Sequence, residues 1–210
     1  MTSENQREIL DVYYQYHTIV KEMVIALEID DGEYPVEILN EIRAMMNHLA
    51  KCYIADDKKP DNYLDIISKN IHNAKSHLRR AIFDCYKYGC LSADDFYRRF
   101  HESMKNVDLG VIDNGSFVVV LSQKYTKAKA LLKGAKIAEQ DLLDSSIPDS
   151  IYEKYQIAYE AFDAMRVYIE EKMELIERTR HKQQVHYVMN NIFGIAGLLG
   201  LFFTILFHFI

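Results

Sequence analysis

Apolar positions recur at intervals of three and four along almost the whole chain, the period at which side chains return to one face of an α-helix. Ile9, Leu10, Tyr13, Tyr16, Ile19, Val20, Met23, Val24 and Leu27 predict a first helix. Ser3 with Gln6 reads as its capping box, and the Asp30-Asp31-Gly32 turn closes it after about residue 28. Pro35 fits the first turn of a second helix, carried by Ile38, Ile42, Met45, Met46 and Leu49 to about residue 53, with 55–62 as loop. A third helix is expected from about 62 to 88, ended by Gly89, and Ser92 with Asp95 opens a fourth through Met104.

Residues 106–115, NVDLGVIDNG, read as a loop. The β-rich start of the next piece, Phe117 to Leu121, has no partner strand in the sequence, so the whole piece is expected to be a helix. The last element starts near Pro148 and meets no further proline or glycine until Gly194. Its Ile151, Tyr155, Ala158, Phe162, Met165, Ile169, Met173 and Ile176 lie on one broad face, which packs on the body. From residue 178 the run RTRHKQQVH is polar all round and reads as a stalk, solvated or packed against copies of itself.

Beyond the stalk the pattern changes. Residues 192–210, IFGIAGLLGLFFTILFHFI, contain no Asp, Glu, Lys or Arg. With Val188 and Met189 the run reaches the ~20 residues that cross ~30 Å of hydrocarbon. The expected fold class is therefore all-α: a helical bundle whose long final helix leads into a single C-terminal transmembrane helix. The expected divisions are a cytosolic helical domain over 1–177, a basic and polar stalk over 178–188 and a transmembrane helix over 189–210. Arg178, Arg180 and Lys182 precede the span and no charged side chain comes after it. By the positive-inside rule the body stays in the cytoplasm, tail-anchored in the cell inner membrane. Asn190, Gly194, Gly197, Thr204 and His208 share one sector of this helix, a polar and small-residue stripe suited to close helix approach in a homo-oligomer or to lining a watery path.

Composition narrows the remaining possibilities. The chain of 210 residues is 49% hydrophobic and 27% charged, enough for one packed body. The N-terminus lacks a basic region followed by an apolar run, so no signal peptide is expected. Cys52, Cys85 and Cys90 are an odd number without CxxC spacing, which indicates neither a disulfide framework nor a zinc site. A net charge of −6 disfavours broad nucleic-acid binding but leaves room for a local basic surface. That surface would be the helix bearing Lys124, Lys127, Lys129, Lys133 and Lys136, a solvated face or a contact for an anionic lipid, a nucleotide or an oligonucleotide. No glycine-rich phosphate loop, nucleophile elbow, HExxH or paired-carboxylate motif is present, so ordinary metabolic catalysis, a bound metal and a cofactor are not expected.

Two histidines remain. Asn47-His48-Leu49-Ala50-Lys51 echoes Ser76-His77-Leu78-Arg79-Arg80, each on one helix of a hairpin. The two segments would face each other, either as an anion pocket of His48, His77, Arg43 and Arg80 or as polar edge residues satisfied by neighbours such as Glu41 or Asp84. Arg43-Ala-Met-Met-Asn-His48 also fits the pattern R-x4-H and resembles the HEPN family of ribonucleases and nucleotide-binding domains. That resemblance implies a dimer cleft in which His48 is the general acid and base and Arg43 stabilises phosphate charge. In layout, the whole chain is similar to the small membrane effectors of bacterial antiphage systems such as CBASS and Hailong. This resemblance implies a body that senses a ligand or a regulatory protein partner and a membrane helix that opens a gated pore. A non-catalytic adaptor holding a partner at the bilayer is the third expectation.

Overall fold

The structure, a computed structural model, describes residues 1–32, 35–140 and 148–208, with the side chains of 30–31 and 201–208 excepted. It is all-helical, a helical bundle with no strand among the described residues. Helix α1 (Ser3–Gln15) runs through a widened π turn at Tyr16–Val20 into α2 (Lys21–Asp31). The extra residue of a π turn rotates α2 relative to α1, which sets Val20, Val24 and Leu27 into the same core as Ile9 and Val12. Thr2 caps α1 in place of the expected Ser3: its hydroxyl accepts from the Asn5 N–H at 3.2 Å and its carbonyl from the Gln6 N–H at 3.1 Å. Gly32, at φ 68°, takes the left-handed C-terminal position, with its N–H donating to the Glu28 carbonyl.

Helix α3 (Val36–Lys58) begins after Pro35 and runs five residues past the predicted end, because Ala55 continues the buried line of Ile38, Met45, Leu49 and Cys52. Only Lys59, left-handed at φ 45°, stops it. Helix α4 (Tyr63–Ser103) corrects the sequence reading more strongly: one helix of 41 residues stands where two were predicted. A Cβ on Gly89 would lie 2.6 Å from the Tyr159 ring, so this glycine serves the close crossing of two helices rather than a helix end. Ser92, the expected cap, is buried inside α4.

A connection with a 3-10 turn at Leu109–Gly115 leads to α5 (Ser116–Gln140), which includes the β-rich FVVVL segment as helix. There Phe117 and Leu121 enter the core, so burial decides against β propensity. Helix α6 (Asp149–His208) is unbroken over 60 residues. Its buried residues Ile151, Tyr155, Ala158, Phe162, Met165, Ile169 and Ile176 keep to steps of four, three or seven, as do Ile67, Ile71, Ala74, Leu78, Ala81 and Cys85 on α4. Such a 3-4 repeat keeps the apolar seam of one helix facing a neighbour along its length.

Helix α4 is the spine of the body. Its first half packs with α1, α2 and α3 around Ile38, Met45, Leu49 and Ile71; its second packs with α5 and α6 around Phe117, Leu132 and Phe162. Beyond Ile176 no residue of α6 with a described side chain is buried. Among the described residues no helix is long and apolar enough to cross a membrane. The predicted span, 189–210, falls only partly among them, and the side chains of Thr204 and His208 lie outside them.

Candidate functional site

The hairpin of α3 and α4 brings His48 and His77 together, with ring centres 5.3 Å apart and ring planes 18° from parallel. Their orientation is set by two hydrogen bonds. Asn70, buried on the apolar face of α4, donates its side-chain N–H to the Ile66 carbonyl at 2.8 Å. Its oxygen is thereby turned to His48, whose Nδ1 lies 2.8 Å away and must carry the proton. Likewise His77 Nδ1 lies 2.7 Å from Glu41 Oε2, an acceptor when ionised. Both rings are held in the Nδ1–H form, and neither Nε2 has a partner among the described residues.

The surroundings are acidic. Arg80 reaches Glu41 at 4.0 Å and donates to Ser76 Oγ at 3.2 Å. Burial pushes the Asp84 carboxyl up to about 6; nearby Lys87 opposes this, and the carboxylates of Glu41, Glu37 and Glu139 add to it. Arg43 is exposed and stands five residues from His48, about 140° round the helix, so one chain does not bring the two together. Asn70 was not singled out in the sequence; its only signal was a polar residue one turn after Ile67 and before Ala74 on an apolar stripe.

The lysines of α5 are divided among different tasks. Lys129 donates to the buried Asp94 at 2.9 Å, beside the Tyr125 hydroxyl, which donates to the same carboxylate at 3.0 Å. Burial and that bond push the Tyr125 phenol up to about 12. Lys124 lies 5.6 Å from the centre of the Tyr168 ring, and Lys127 and Lys133 are exposed. Lys87 and Tyr155 donate to the two oxygens of Glu139 at 2.6 and 2.5 Å, tying α4, α5 and α6 to one carboxylate. Cys52, Cys85 and Cys90 are buried and free. Among the described residues no group of three or more His, Cys, Asp or Glu is placed to hold a metal.

A second region of interest is where α6 leaves the body. The expected stalk is not simply solvated at its start. Arg180 donates to the Ser103 carbonyl at 3.1 Å and to Glu177 at 2.9 Å, and Gln183 accepts from the Asp108 N–H at 2.9 Å. Lys172 pairs with Asp113 at 2.7 Å, so the connection between α4 and α5 is fastened to α6 at three places. Below these contacts Val185, Val188, Ile192, Phe193, Ile195, Leu198 and Leu199 are exposed. Asn190 is exposed too, and a Cβ on Gly194 or Gly197 would meet nothing within 4 Å.

The class defined by this architecture is an all-helical bundle whose final helix carries exposed apolar residues beyond Ile176. Comparisons with family models, with curated proteins and with solved structures give no match to this chain.

Proposed function

We propose that this chain is a membrane-anchored effector, in which residues 189–210 cross a bilayer and associate with copies of themselves to form a gated pore, in the manner of an antiphage membrane effector. The observation that carries the reading is α6 itself. One unbroken helix joins the buried seam ending at Ile176 to a run whose apolar side chains are exposed over most of its circumference, apart from the sector of Asn190, Gly194 and Gly197. Water does not tolerate such a surface at that length, whereas lipid or a neighbouring copy does. The stripe of Asn190, Gly194 and Gly197 lies within about 40° of Gln183, the residue that meets the α4–α5 connection. A change in the body would therefore act on the side of the helix that carries the stripe. On this reading the bundle faces the cytoplasm, and its ligand or partner acts there.

The ribonuclease alternative has less support, since His77 is bound to Glu41 and Arg43 lies away from His48 on the helix. The experiment is ion flux from liposomes holding the full-length protein, compared with Gly197→Leu/Thr204→Leu. Flux that disappears in the double variant supports a conducting oligomer. Protein that resists alkaline extraction from membranes yet gives no flux at any density would leave an anchor without a pore. Protein that washes off would refute the span, and RNA cleavage lost in His48→Ala would then favour the ribonuclease.

A further inference from the structure

We propose that the bonds between α6 and the α4–α5 connection are a latch that keeps the stripe of Asn190, Gly194 and Gly197 from meeting the same stripe in other copies; the inference rests on residues 189–210 spanning a bilayer. At 3.6 residues per turn Gly194 lies about five turns beyond Ile176 on the same line of the helix, and Asn190 and Gly197 fall within about 60° of that line. Ile176 is buried against the body, so the stripe is on the side of α6 that the body occupies. Val185, Val188, Ile192 and Leu199 are exposed on the far side, about 120–180° from that line, where lipid would meet them.

These placements conflict with a closed ring of stripes. Helices that meet along their stripes stand about 8–10 Å apart. A body of this size is about 40 Å across, and it would lie on the inner side of every helix. Latched copies therefore cannot bring their stripes together along their length. Copies that diverge to make room touch at a single crossing and line no path. Association along the stripe requires α6 to turn relative to the body beyond Ile176.

Only polar bonds resist that turn. Arg180 donates to the Ser103 carbonyl at 3.1 Å, Gln183 accepts from the Asp108 N–H at 2.9 Å, and no residue over 177–188 is buried. Both bonds line an open cleft of about 870 Å³, shared with Asn106, Gln184 and Tyr187, where water competes for the same groups. Breaking them costs far less than unpacking the seam from Ile151 to Ile176, so the latch opens while the body stays folded.

The test is disulfide formation between copies of the full-length protein in liposomes, read at Gly194→Cys on the stripe and at Leu199→Cys on the far side; the three native cysteines are buried. Removing the latch with Arg180→Ala/Gln183→Ala is expected to raise cross-linking at Gly194→Cys at least threefold, to raise ion flux in protein without the reporter cysteine, and to leave cross-linking at Leu199→Cys unchanged. Gln183→Ala alone should act in the same direction, and Gln183→Glu, which keeps an acceptor for the Asp108 N–H, should not. Equal cross-linking at Gly194→Cys with and without the latch, in protein that resists alkaline extraction, would overturn the inference. Protein that washes off would instead refute the span on which it rests.

Discussion

The two halves of α6 share one helix and differ in everything that surrounds it. From Ile151 to Ile176 the buried apolar residues keep to a 3-4 seam and the opposite face is charged; from Val185 to Leu199 exposed apolar residues cover most of the circumference and leave one sector to Asn190, Gly194 and Gly197. The first pattern matches a helix with one neighbour on its apolar side, the second a helix with a wide apolar face and a narrow stripe of small and polar residues. Backbone geometry is the same in both halves, so the difference lies wholly in side-chain placement. Stability measured on this protein should divide along the same line.

The largest effect is expected from Phe162→Ala. This side chain is fully buried, and its truncation should cost the body about 3–5 kcal/mol in urea unfolding. Phe193→Ala, at 65% exposed, should leave that unfolding unchanged and reduce retention in lipid instead. Equal losses in unfolding for both would erase the distinction. Next comes Gly89→Ala, which forces a methyl group against Tyr159 and should cost about 1–3 kcal/mol. Adding Tyr159→Leu should recover part of that loss, a non-additivity that chemical denaturation of the double variant reads directly.

At the border of the two halves, Gln183→Ala removes the acceptor of the Asp108 N–H. About 0.5–1 kcal/mol is expected, seen as faster amide exchange through 104–115, whereas Val185→Ala should have no such effect. The last effect belongs to the body alone and concerns pH. The folded-state pKa of Asp84 is raised from 3.8 to about 6, so the folded protein holds this proton more tightly than the unfolded chain. Stability should therefore fall as pH rises from about 4 to about 6 and stay lower above that. Asp84→Asn should flatten that slope and gain most over the wild type near pH 7, in urea midpoints compared across this range.

Helical periodicity made most of the fold legible, including the helix that begins with the β-rich Phe117–Leu121 segment. What misled was punctuation. Gly89 and Ser92 look like a stop and a start, but the reason for Gly89 is Tyr159, 70 residues away, and nothing local announces it. The cap of α1 was displaced by one residue because Thr2 and Ser3 offer the same hydroxyl. At the candidate site, the echo between the two His-Leu segments correctly implied that the rings meet, and Glu41 was among the neighbours expected to satisfy them. The lysines of α5 read as one basic surface only because sequence spacing does not reveal Asp94, which draws Lys129 to a partner on another helix.

The continuity of α6 also gives the molecule a mechanical ratio. Gln183, held to the α4–α5 connection, acts as a fulcrum, and 25 further residues of helix extend about 38 Å beyond it. A tilt of about 5° at the body would swing the far end by about 3 Å, more than half the pitch of a helical turn. Small rearrangements among α4, α5 and the base of α6 are thus amplified with distance, and the three fastenings to the α4–α5 connection set the resting angle of the lever.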